Sequence, residues 1–338
     1  MSILTKRNKV ILFSYMKSFL VAVSLYLLAV LPALGSDTSG AQPSITLEAL
    51  QLHDRVWYFR GESGMASAQN RGFMSNAGFV VGSEGIAVFD TLASPALGRA
   101  MLEAIRSISD KPIRYIVTSH YHADHFYGLQ GFEGSGAERL AHSSGQKYLD
   151  SDEALQRLQQ RRDALSPWVN EHTRLIPADR WLAFEAGRAV TLDLGDLQLE
   201  IIDVGGSHSA SDIMLYIDEA GVLFAGDLFA TGRIPFVAGA NTARWLEVVA
   251  LLKATDARIV VPGHGDASTD VAADLALTED YLRYLRSSMQ VAVDQLQSFD
   301  EAYEATDWST FERLPAFSAA NRRNAYSVFL ELEQASLD

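Results

Sequence analysis

One stretch of eight residues, Thr118 to His125, constrains this chain more than any other feature. It reads Thr-Ser-His-Tyr-His-Ala-Asp-His and directly follows the apolar run Ile113-Arg-Tyr-Ile-Val117, which predicts a strand. Three histidines and an aspartate within six positions are typical of a metal site. In a layered α/β fold, reactive side chains collect at the carboxyl ends of strands. The pattern therefore predicts a metal centre at a sheet edge.

The segments before this cluster predict a hairpin, a helix and a parallel strand. Ala77–Val81 and Gly85–Asp90 read as two strands that turn at 82–85. Ser94-Pro95 then provides an N-cap and a first-turn proline for a helix. The loop 61–76 has little periodicity, and a loop of this length in a compact domain favours either a mobile flap over an apolar ligand or a disordered surface segment.

The second half repeats this order of elements without a sequence repeat. Ser144–Leu165 predicts one polar helix ended by Pro167, and further strands precede a predicted helix at 242–254. Arg258–Val261 then predicts a strand that ends at Pro262-Gly-His264. Such a pattern predicts two packed sheets with helices outside.

Three further candidate ligands lie in this half, each beside glycine or other small residues. They are His208 in Gly205-Gly-Ser-His-Ser, Asp227 in Phe224-Ala-Gly-Asp-Leu, and His264 in Pro262-Gly-His-Gly. Small neighbours let the backbone approach an ion closely. Histidine with carboxylate suits zinc, iron or manganese. Cysteine is absent from the sequence, so thiolate ligands, cysteine nucleophiles and disulfides are excluded.

Together these residues resemble the motif set of the metallo-β-lactamase superfamily, over roughly Val56 to Gly265. The match consists of His120-x-His122-x-Asp124-His125, then His208, Asp227 and His264, with Asp90 closing the strand Val88-Phe-Asp90. The resemblance implies an α/β fold, the αββα four-layer sandwich, here with a C-terminal helical extension.

The resemblance also implies roles for each residue. His120, His122 and His208 would bind one metal ion, and Asp124, His125 and His264 a second. Asp227 would bridge the two ions, and Asp90 would support the cluster from outside. The implied cofactor is two Zn²⁺, with iron or manganese as alternatives.

A site of this kind implies hydrolysis of a small molecule. Two ions can hold a bridging hydroxide and lower its pKa towards neutrality. Asp124 and Asp227 are the catalytic candidates, and an ester, thioester, lactone or amide bond, including a β-lactam, fits as substrate. Phe73, Arg233 and Phe236 are candidate substrate contacts. Arg233 would pair with a substrate carboxylate, and the alternative is a solvated surface arginine.

Within the superfamily, the absence of cysteine excludes lactamases with a cysteine ligand. In having an aspartate at the bridging position, the chain resembles thioesterases of the glyoxalase II kind and lactonases. Residues 275–338 carry 11 acidic and 5 basic side chains and no lysine, which is unfavourable for a glutathione carboxylate. Gly232-Arg-Ile-Pro-Phe236 and the export signal look more like the periplasmic branch associated with sulfur oxidation and quinoprotein systems.

Two alternatives come from other classes of protein. A persulfide dioxygenase would hold one iron through His120, His208 and Asp227 and would oxidise its substrate. An accessory or binding protein of a periplasmic redox system would use the metal structurally. Structural metal sites are normally closed by protein ligands, which favours an enzyme.

The domain prediction is a signal peptide at 1–35, a flexible leader at 36–44, the sandwich domain at 45–274 and the helical extension at 275–338. Lys6, Arg7, Lys9 and Lys17 precede an apolar run to Leu31, a pattern that favours export to the periplasm. The alternative is an uncleaved membrane anchor; cleavage would leave no stable membrane insertion. Met16 is an alternative initiator.

The charge balance argues against nucleic acid as a partner. Residues 1–35 carry four basic and no acidic side chains, so cleavage lowers the net charge from −14 to −18. Such a surface repels phosphate backbones. The sequence leaves the oligomeric state open.

Overall fold

A computed structural model describes residues 45–185 and 189–337. The predicted signal peptide and leader, residues 1–44, lie outside the described residues. Over the described ranges, no helix is both long and apolar enough to cross a membrane.

The first sheet has seven strands, which neighbour one another in chain order. They are β1 (Leu50–His53), β2 (Val56–Phe59), β3 (Ala77–Val81), β4 (Ile86–Phe89), β5 (Ile113–Thr118), β6 (Glu138–His142) and β7 (Arg180–Leu182). The first four strands pair antiparallel, and β4 to β7 pair parallel.

The second sheet has five strands in the order β12-β11-β10-β9-β8. They are β8 (Val190–Asp193), β9 (Gln198–Asp203), β10 (Ile213–Ile217), β11 (Val222–Ala230) and β12 (Ile259–His264). Within the described part of this sheet, only β11 and β12 pair parallel. The hairpin–helix–parallel-strand order predicted for both halves is therefore present in both sheets.

Helices connect and cover the sheets. They are α1 (Pro95–Ile108), α2 (Ala123–Phe126), α3 (Ser144–Leu149), α4 (Asp152–Leu165), α5 (Thr242–Lys253), α6 (Val271–Asp294), α7 (Phe299–Ala305) and α8 (Phe317–Ala335). A short 3₁₀ helix at Tyr127–Phe132 follows α2. The N-cap of α1 is the predicted one, because Ser94 Oγ accepts a hydrogen bond from Leu97 N at 3.2 Å.

Three apolar cores make the molecule a four-layer sandwich. Along β4, Ile86 and Val88 pack towards α1, whereas Ala87 and Phe89 pack between the sheets, as the period of two in a strand requires. Phe89 meets Phe224 of the second sheet with ring centroids 5.5 Å apart. On the far side, the second sheet shares one core with α5, α6 and α8. The αββα fold with a C-terminal helical region is confirmed.

Two details differ from the sequence prediction. The single helix predicted over Ser144–Leu165 is wrong, because the chain breaks into α3 and α4. Ser151 is extended there, and its hydroxyl accepts from Ala154 N at 3.3 Å, so it caps a new helix. The predicted boundary at 274/275 falls inside α6, which begins at Val271; the domain division itself stays a prediction.

The loop 61–76 contains neither helix nor strand, but it is tied at several points. Glu62 N donates to Phe73 O at 2.9 Å, and Trp168 Nε1 donates to Ala68 O at 2.8 Å. Its far end is buried at Phe73 and Met74. The loop therefore packs against the domain. Whether it opens as a flap stays a prediction.

Candidate metal centre

The seven predicted ligands come from four segments that end at one edge of the sandwich. The first four follow β5, where the chain turns into α2. His208 lies in the loop between β9 and β10, Asp227 lies in β11, and His264 is the last residue of β12. β11 and β12 are parallel neighbours, so their carboxyl ends reach the same edge.

The first group contains His120, His122, His208 and Asp227, whose ligand atoms all lie within 4.8 Å of one another. His122 Nδ1 is 3.0 Å from His120 Nε2 and 2.9 Å from His208 Nε2. Three nitrogens converging in this way, with a carboxylate beside them, form the donor set that Zn²⁺ prefers.

The second group contains Asp124, His125 and His264, again within 4.8 Å of one another. Asp124 Oδ2 lies 3.7 Å from His125 Nε2 and 3.5 Å from His264 Nε2. All three side chains are buried. A second small cluster of two imidazoles and one carboxylate therefore lies next to the first.

Asp227 connects the groups, because each of its oxygens faces a different one. Oδ2 is 3.4 Å from His208 Nε2, and Oδ1 is 3.1 Å from His125 Nε2 and 3.3 Å from His264 Nε2. Gly263 makes room for this carboxylate, since a Cβ at position 263 would lie 1.9 Å from Asp227 Oδ1. The bridging role of Asp227 stays a prediction.

Asp90 lies behind the cluster and hydrogen-bonds two of its residues. Its carboxylate accepts from Ser119 N at 2.7 Å, from Ser119 Oγ at 2.7 Å and from His125 Nδ1 at 2.8 Å. Asp90 adopts a φ of 59°, a conformation that few residues other than glycine, asparagine and aspartate adopt. Such strain at a buried, hydrogen-bonded residue is typical of functional sites.

Two of the imidazoles are oriented by backbone carbonyls. His264 Nδ1 lies 2.7 Å from Met74 O, and His208 Nδ1 lies 3.1 Å from Phe236 O. An imidazole that donates through Nδ1 presents the Nε2 lone pair to an ion. The loops that carry Met74 and Phe236 are therefore part of the site's support.

Buried asparagines hold these two loops, and no local sequence pattern predicts either of them. Asn76 Nδ2 donates to Pro262 O at 2.7 Å, next to the Met74 loop. Asn324 of α8 accepts from Val237 N at 2.9 Å and donates to Pro235 O at 2.8 Å, which clamps the chain around Phe236. Ser119, inside the cluster, was missed as well.

Burial and neighbouring charge set the protonation of the histidines. Burial and nearby imidazoles lower the pKa of His120, and burial lowers the pKa of His122 to about 3. Burial also lowers the pKa of His208. These three imidazoles are therefore neutral at pH 7, the form that binds metal. Burial likewise opposes charge on His125, but the carboxylates of Asp227, Asp90 and Asp124 outweigh it and raise the pKa of His125.

The carboxylates are ionised for the complementary reason. Burial favours the neutral acid, but the facing imidazoles of His264 and His125 hold the pKa of Asp227 well below its usual value. The pKa of Asp124 is lowered in the same way, mainly by His125 and then His264. Both groups can therefore offer charged oxygens to a cation at neutral pH.

The residues present fit a pair of divalent ions. His125 Nε2 and His264 Nε2 lie 3.1 and 3.3 Å from Asp227 Oδ1, yet none of these three buried atoms makes a hydrogen bond of good geometry within the described residues. Unpartnered buried polar atoms are rare in folded proteins and require an explanation. A cation among them would supply the missing partner for all three.

A two-lobed cavity opens in front of the site. The first lobe, of about 240 Å³, is lined by His122, Asp124, Asp227 and Phe236. The adjoining lobe, of about 440 Å³, shares His122 with it and extends along α4 and α8.

The predicted substrate contacts are only partly on this wall. Phe236 lines the first lobe, together with Met65 and Met74 of the loop 61–76. Phe73 and Arg233 do not line either lobe. Phe73 packs in the core beside the first sheet. Arg233 is 3% exposed, so the solvated surface arginine considered above is wrong. Their contact with substrate stays a prediction.

Arg233 instead connects two loops. Its guanidinium donates to Gly64 O at 3.2 Å and stacks over the Phe236 ring at 4.8 Å. Its Nε and Nη2 have no hydrogen-bond partner in the described ranges. Burial lowers the pKa of Arg233, and the carboxylates of Asp227 and Asp124 oppose that shift.

The fold and the paired ligand groups define a class of metal-dependent α/β proteins, and the comparison with known families identifies it. Residues 70–264 match the metallo-beta-lactamase superfamily, which is more than half of the chain. The chain therefore belongs to the metallo-beta-lactamase superfamily, and the resemblance stated from the motifs is confirmed.

The relatives include two different kinds of hydrolase. The chain is 24% identical over 246 residues to a linear primary-alkylsulfatase of Pseudomonas sp., covering 60% of this chain and 44% of that protein. It is 23% identical over 222 residues to a type 2 metallo-beta-lactamase of Bacteroides fragilis, covering 64% and 78%. This agrees with the hydrolase class implied by the motif set.

A solved structure shows the same fold. An inverting sec-alkylsulfatase of Pseudomonas sp. superimposes with a TM-score of 0.66 at 17% identity, over 86% of this chain and 52% of that one. The chain thus spans about half the length of the alkylsulfatases it matches.

Proposed function

We propose that this protein is an exported, dinuclear zinc-dependent hydrolase that cleaves an ester-type bond: an ester, thioester, lactone or amide. The observation that carries the proposal is the division of seven donor residues into two adjoining groups, with the two oxygens of Asp227 turned one to each. A single ion in the first group would leave the second group, Asp124, His125 and His264, without a cation.

The chain's own residues supply binding and orientation. His120, His122 and His208 would hold one ion, and Asp124, His125 and His264 the other, with Asp227 between them. Two such ions would activate a water as nucleophile and polarise the bond to be cleaved. Asp124 lines the cavity as a carboxylate, so it can accept a hydrogen bond from a water and orient it towards the substrate. Asp90 and the two backbone carbonyls keep the imidazoles in place.

The test combines metal analysis with a substrate panel on the mature protein. We expect about two zinc ions per chain and hydrolysis of at least one member of a set of ester, thioester, lactone, sulfate ester and chromogenic cephalosporin substrates. Chelation should abolish turnover, and zinc should restore it. His264→Ala should remove one ion and most activity, whereas His172→Ala, an exposed histidine outside the site, should change neither.

Two outcomes would contradict this proposal. Activity that survives exhaustive chelation would exclude a metal-dependent reaction. One iron per chain, with oxygen consumed in the presence of a persulfide, would instead support the dioxygenase alternative.

The export part of the proposal rests on residues 1–35 and has its own test. Expression of the full chain in a Gram-negative host should give a periplasmic product, and its intact mass should correspond to a chain that begins near Ser36. A product that retains residues 1–35 and stays in the membrane fraction would support the anchor alternative.

A further inference from the structure

The cavity carries positive charge that the metal-ligand set does not explain. Arg157 and Arg323 line both lobes, and Arg161 lines the lobe next to the ligands. Arg157 and Arg161 are four residues apart in α4, so they lie on the same face of that helix. Arg323 projects from α8, which follows more than 150 positions later in the chain.

None of these three arginines has a carboxylate partner within 4.0 Å among residues 45–185 and 189–337. Arginines elsewhere on the surface do pair in this way; Arg322, the neighbour of Arg323, pairs with Asp300 at 2.6 Å. Arg157 does hydrogen-bond the side chain of Tyr148, but no carboxylate balances its charge. An arginine without a carboxylate partner beside a concave surface is available to an anionic ligand.

The charge around the cavity is opposite to that of the chain. The whole sequence has a net charge of −14, yet among the residues that the structure describes the only carboxylates lining the two lobes are Asp124, Asp227 and Glu153. Asp124 and Asp227 belong to the ligand groups. Apart from them, the charged residues that line the lobes are one acidic residue, Glu153, and the three arginines.

The lobe next to the ligands is also partly apolar. Met65, Met74 and Phe236 form one side of it, and Ala319 and Ala320 of α8 form another. An organic chain could therefore lie between the ligand groups and the arginines with its apolar part covered.

We propose that Arg157, Arg161 and Arg323 form an oxyanion-binding subsite, so that the substrate is an organic anion whose carboxylate or sulfate group pairs with these arginines. This inference rests on the proposed hydrolase function and narrows its substrate class. The acidic composition of residues 275–338 is unfavourable for recognition of a carboxylate only if those acidic side chains face the substrate. Of the charged residues that the structure describes in this segment, Arg323 alone lines the cavity.

The first experiment measures selectivity between matched substrates on the zinc-loaded mature protein. Mono-4-nitrophenyl glutarate and 4-nitrophenyl 4-(sulfooxy)butyrate carry a carboxylate and a sulfate away from the ester bond to be cleaved, and 4-nitrophenyl butyrate is a neutral comparison. We expect kcat/KM for one of the anionic substrates to fall about 10- to 100-fold in the variant Arg157→Gln/Arg323→Gln, as loss of charge-assisted hydrogen bonds predicts. The neutral ester and the zinc content should be unchanged, and which anion is affected identifies the group.

The matched control is Arg322→Gln. It removes the same charge from the adjacent position of α8, but its partner Asp300 lies outside the cavity lining. We expect it to leave selectivity as in the wild type. Equal use of anionic and neutral esters by the wild type, or the same loss in Arg322→Gln, would overturn the subsite.

A binding measurement keeps the two proposals separable. Calorimetric titration with hexane-1-sulfonate should give an affinity about tenfold or more weaker in the double variant than in the wild type or Arg322→Gln. If no substrate is hydrolysed, the hydrolase proposal fails, while this titration still decides the subsite. Equal sulfonate affinity in all three proteins would refute the subsite even if hydrolysis is found.

Discussion

At the scale of single residues, the centre depends on side chains that make room or fix orientation, as well as on the ligands. Gly263 is one example, because its missing Cβ leaves the space that Asp227 Oδ1 occupies. Asp212 is another, since its oxygens accept from Ser209 N at 2.8 Å and Ser209 Oγ at 2.6 Å and so fold the loop that presents His208.

Gly263→Ala should displace the bridging carboxylate. The added Cβ would meet Asp227 Oδ1 at 1.9 Å and the backbone of Gly226 at 2.8 Å, and close-packed strands cannot both move away. We expect metal affinity, measured by competition with a chromophoric chelator, to fall about tenfold or more. Circular dichroism should show a folded protein. Two ions bound with wild-type affinity would contradict this role for Gly263.

Asp212 should make stability depend on pH. Burial raises the pKa of Asp212 to about 7, above its ordinary value of 3.8, so the folded protein holds a proton that the unfolded chain releases between these values. Stability from this group is thus present at low pH and lost as pH rises towards 7 and beyond. The melting temperature of the wild type minus that of Asp212→Asn should decrease by about a few degrees from pH 5 to pH 8.

The control for this experiment is Asp193→Asn. Asp193 is exposed and accepts from Gly195 N at 2.7 Å in a turn of the same sheet. Its melting-temperature difference from the wild type should be flat over the same range. A flat difference for Asp212→Asn too would show that this carboxyl ionises normally.

At the scale of elements, α8 belongs to the site although it lies outside the motif region. Asn324 holds the chain on either side of Phe236, and Phe236 O in turn lies within hydrogen-bond distance of His208 Nδ1. Arg323, the preceding residue, lines the cavity. One turn of α8 therefore lines the cavity and also holds the loop that orients the imidazole of His208.

Asn324→Ala should weaken metal binding at the first group, which contains His208, more than at the second group, which contains His264. Without its amide, Phe236 O is no longer fixed, and loss of such outer hydrogen bonds lowers metal affinity by about 10- to 100-fold. Asn321→Ala is the matched control, because Asn321 is buried one turn away and shares the partner Tyr281 with Asn324, but its other bond goes to Tyr303 and not to the chain around Phe236. Both variants should lose stability, but only Asn324→Ala should lose metal affinity. Equal affinities would exclude the clamp.

At the scale of the whole molecule, the ligands join the edges of both sheets. His120 to His125 follow the first sheet, whereas Asp227 lies in β11 and His264 ends β12 of the second. Ions held between the edges would therefore stabilise the packing of one half on the other, besides any role in catalysis.

Removal of metal should lower the stability of the entire fold. Each ion that binds only the folded state adds free energy of unfolding, about 2.7 kcal/mol when its concentration is 100 times its Kd. We expect the melting temperature to drop by about 5 °C or more after chelation and to recover with zinc. Calorimetry would measure this. An unchanged melting temperature would mean that the buried, unpartnered ligand atoms are not satisfied by an ion.

Much of this protein is encoded locally and is therefore readable from its sequence. Strand and helix periodicity, the Ser94 cap and the order of the ligand motifs all act over a few residues, and they predicted the layers and the edge where the ligands meet. The division of α3 from α4 was missed because a single serine competed with a helical pattern.

What only the tertiary structure decided involves residues far apart in the chain. Asn324, Arg157 and Arg323 carry no local pattern that distinguishes them from ordinary helix residues, and the packing of α4 and α8 alone brings them to the cavity. The burial of Arg233 is of the same kind. The sequence by itself determined the elements and the ligand set, because backbone propensity and motif spacing are local. The supports and the charge of the cavity depend on how distant helices pack, which no short stretch of sequence specifies.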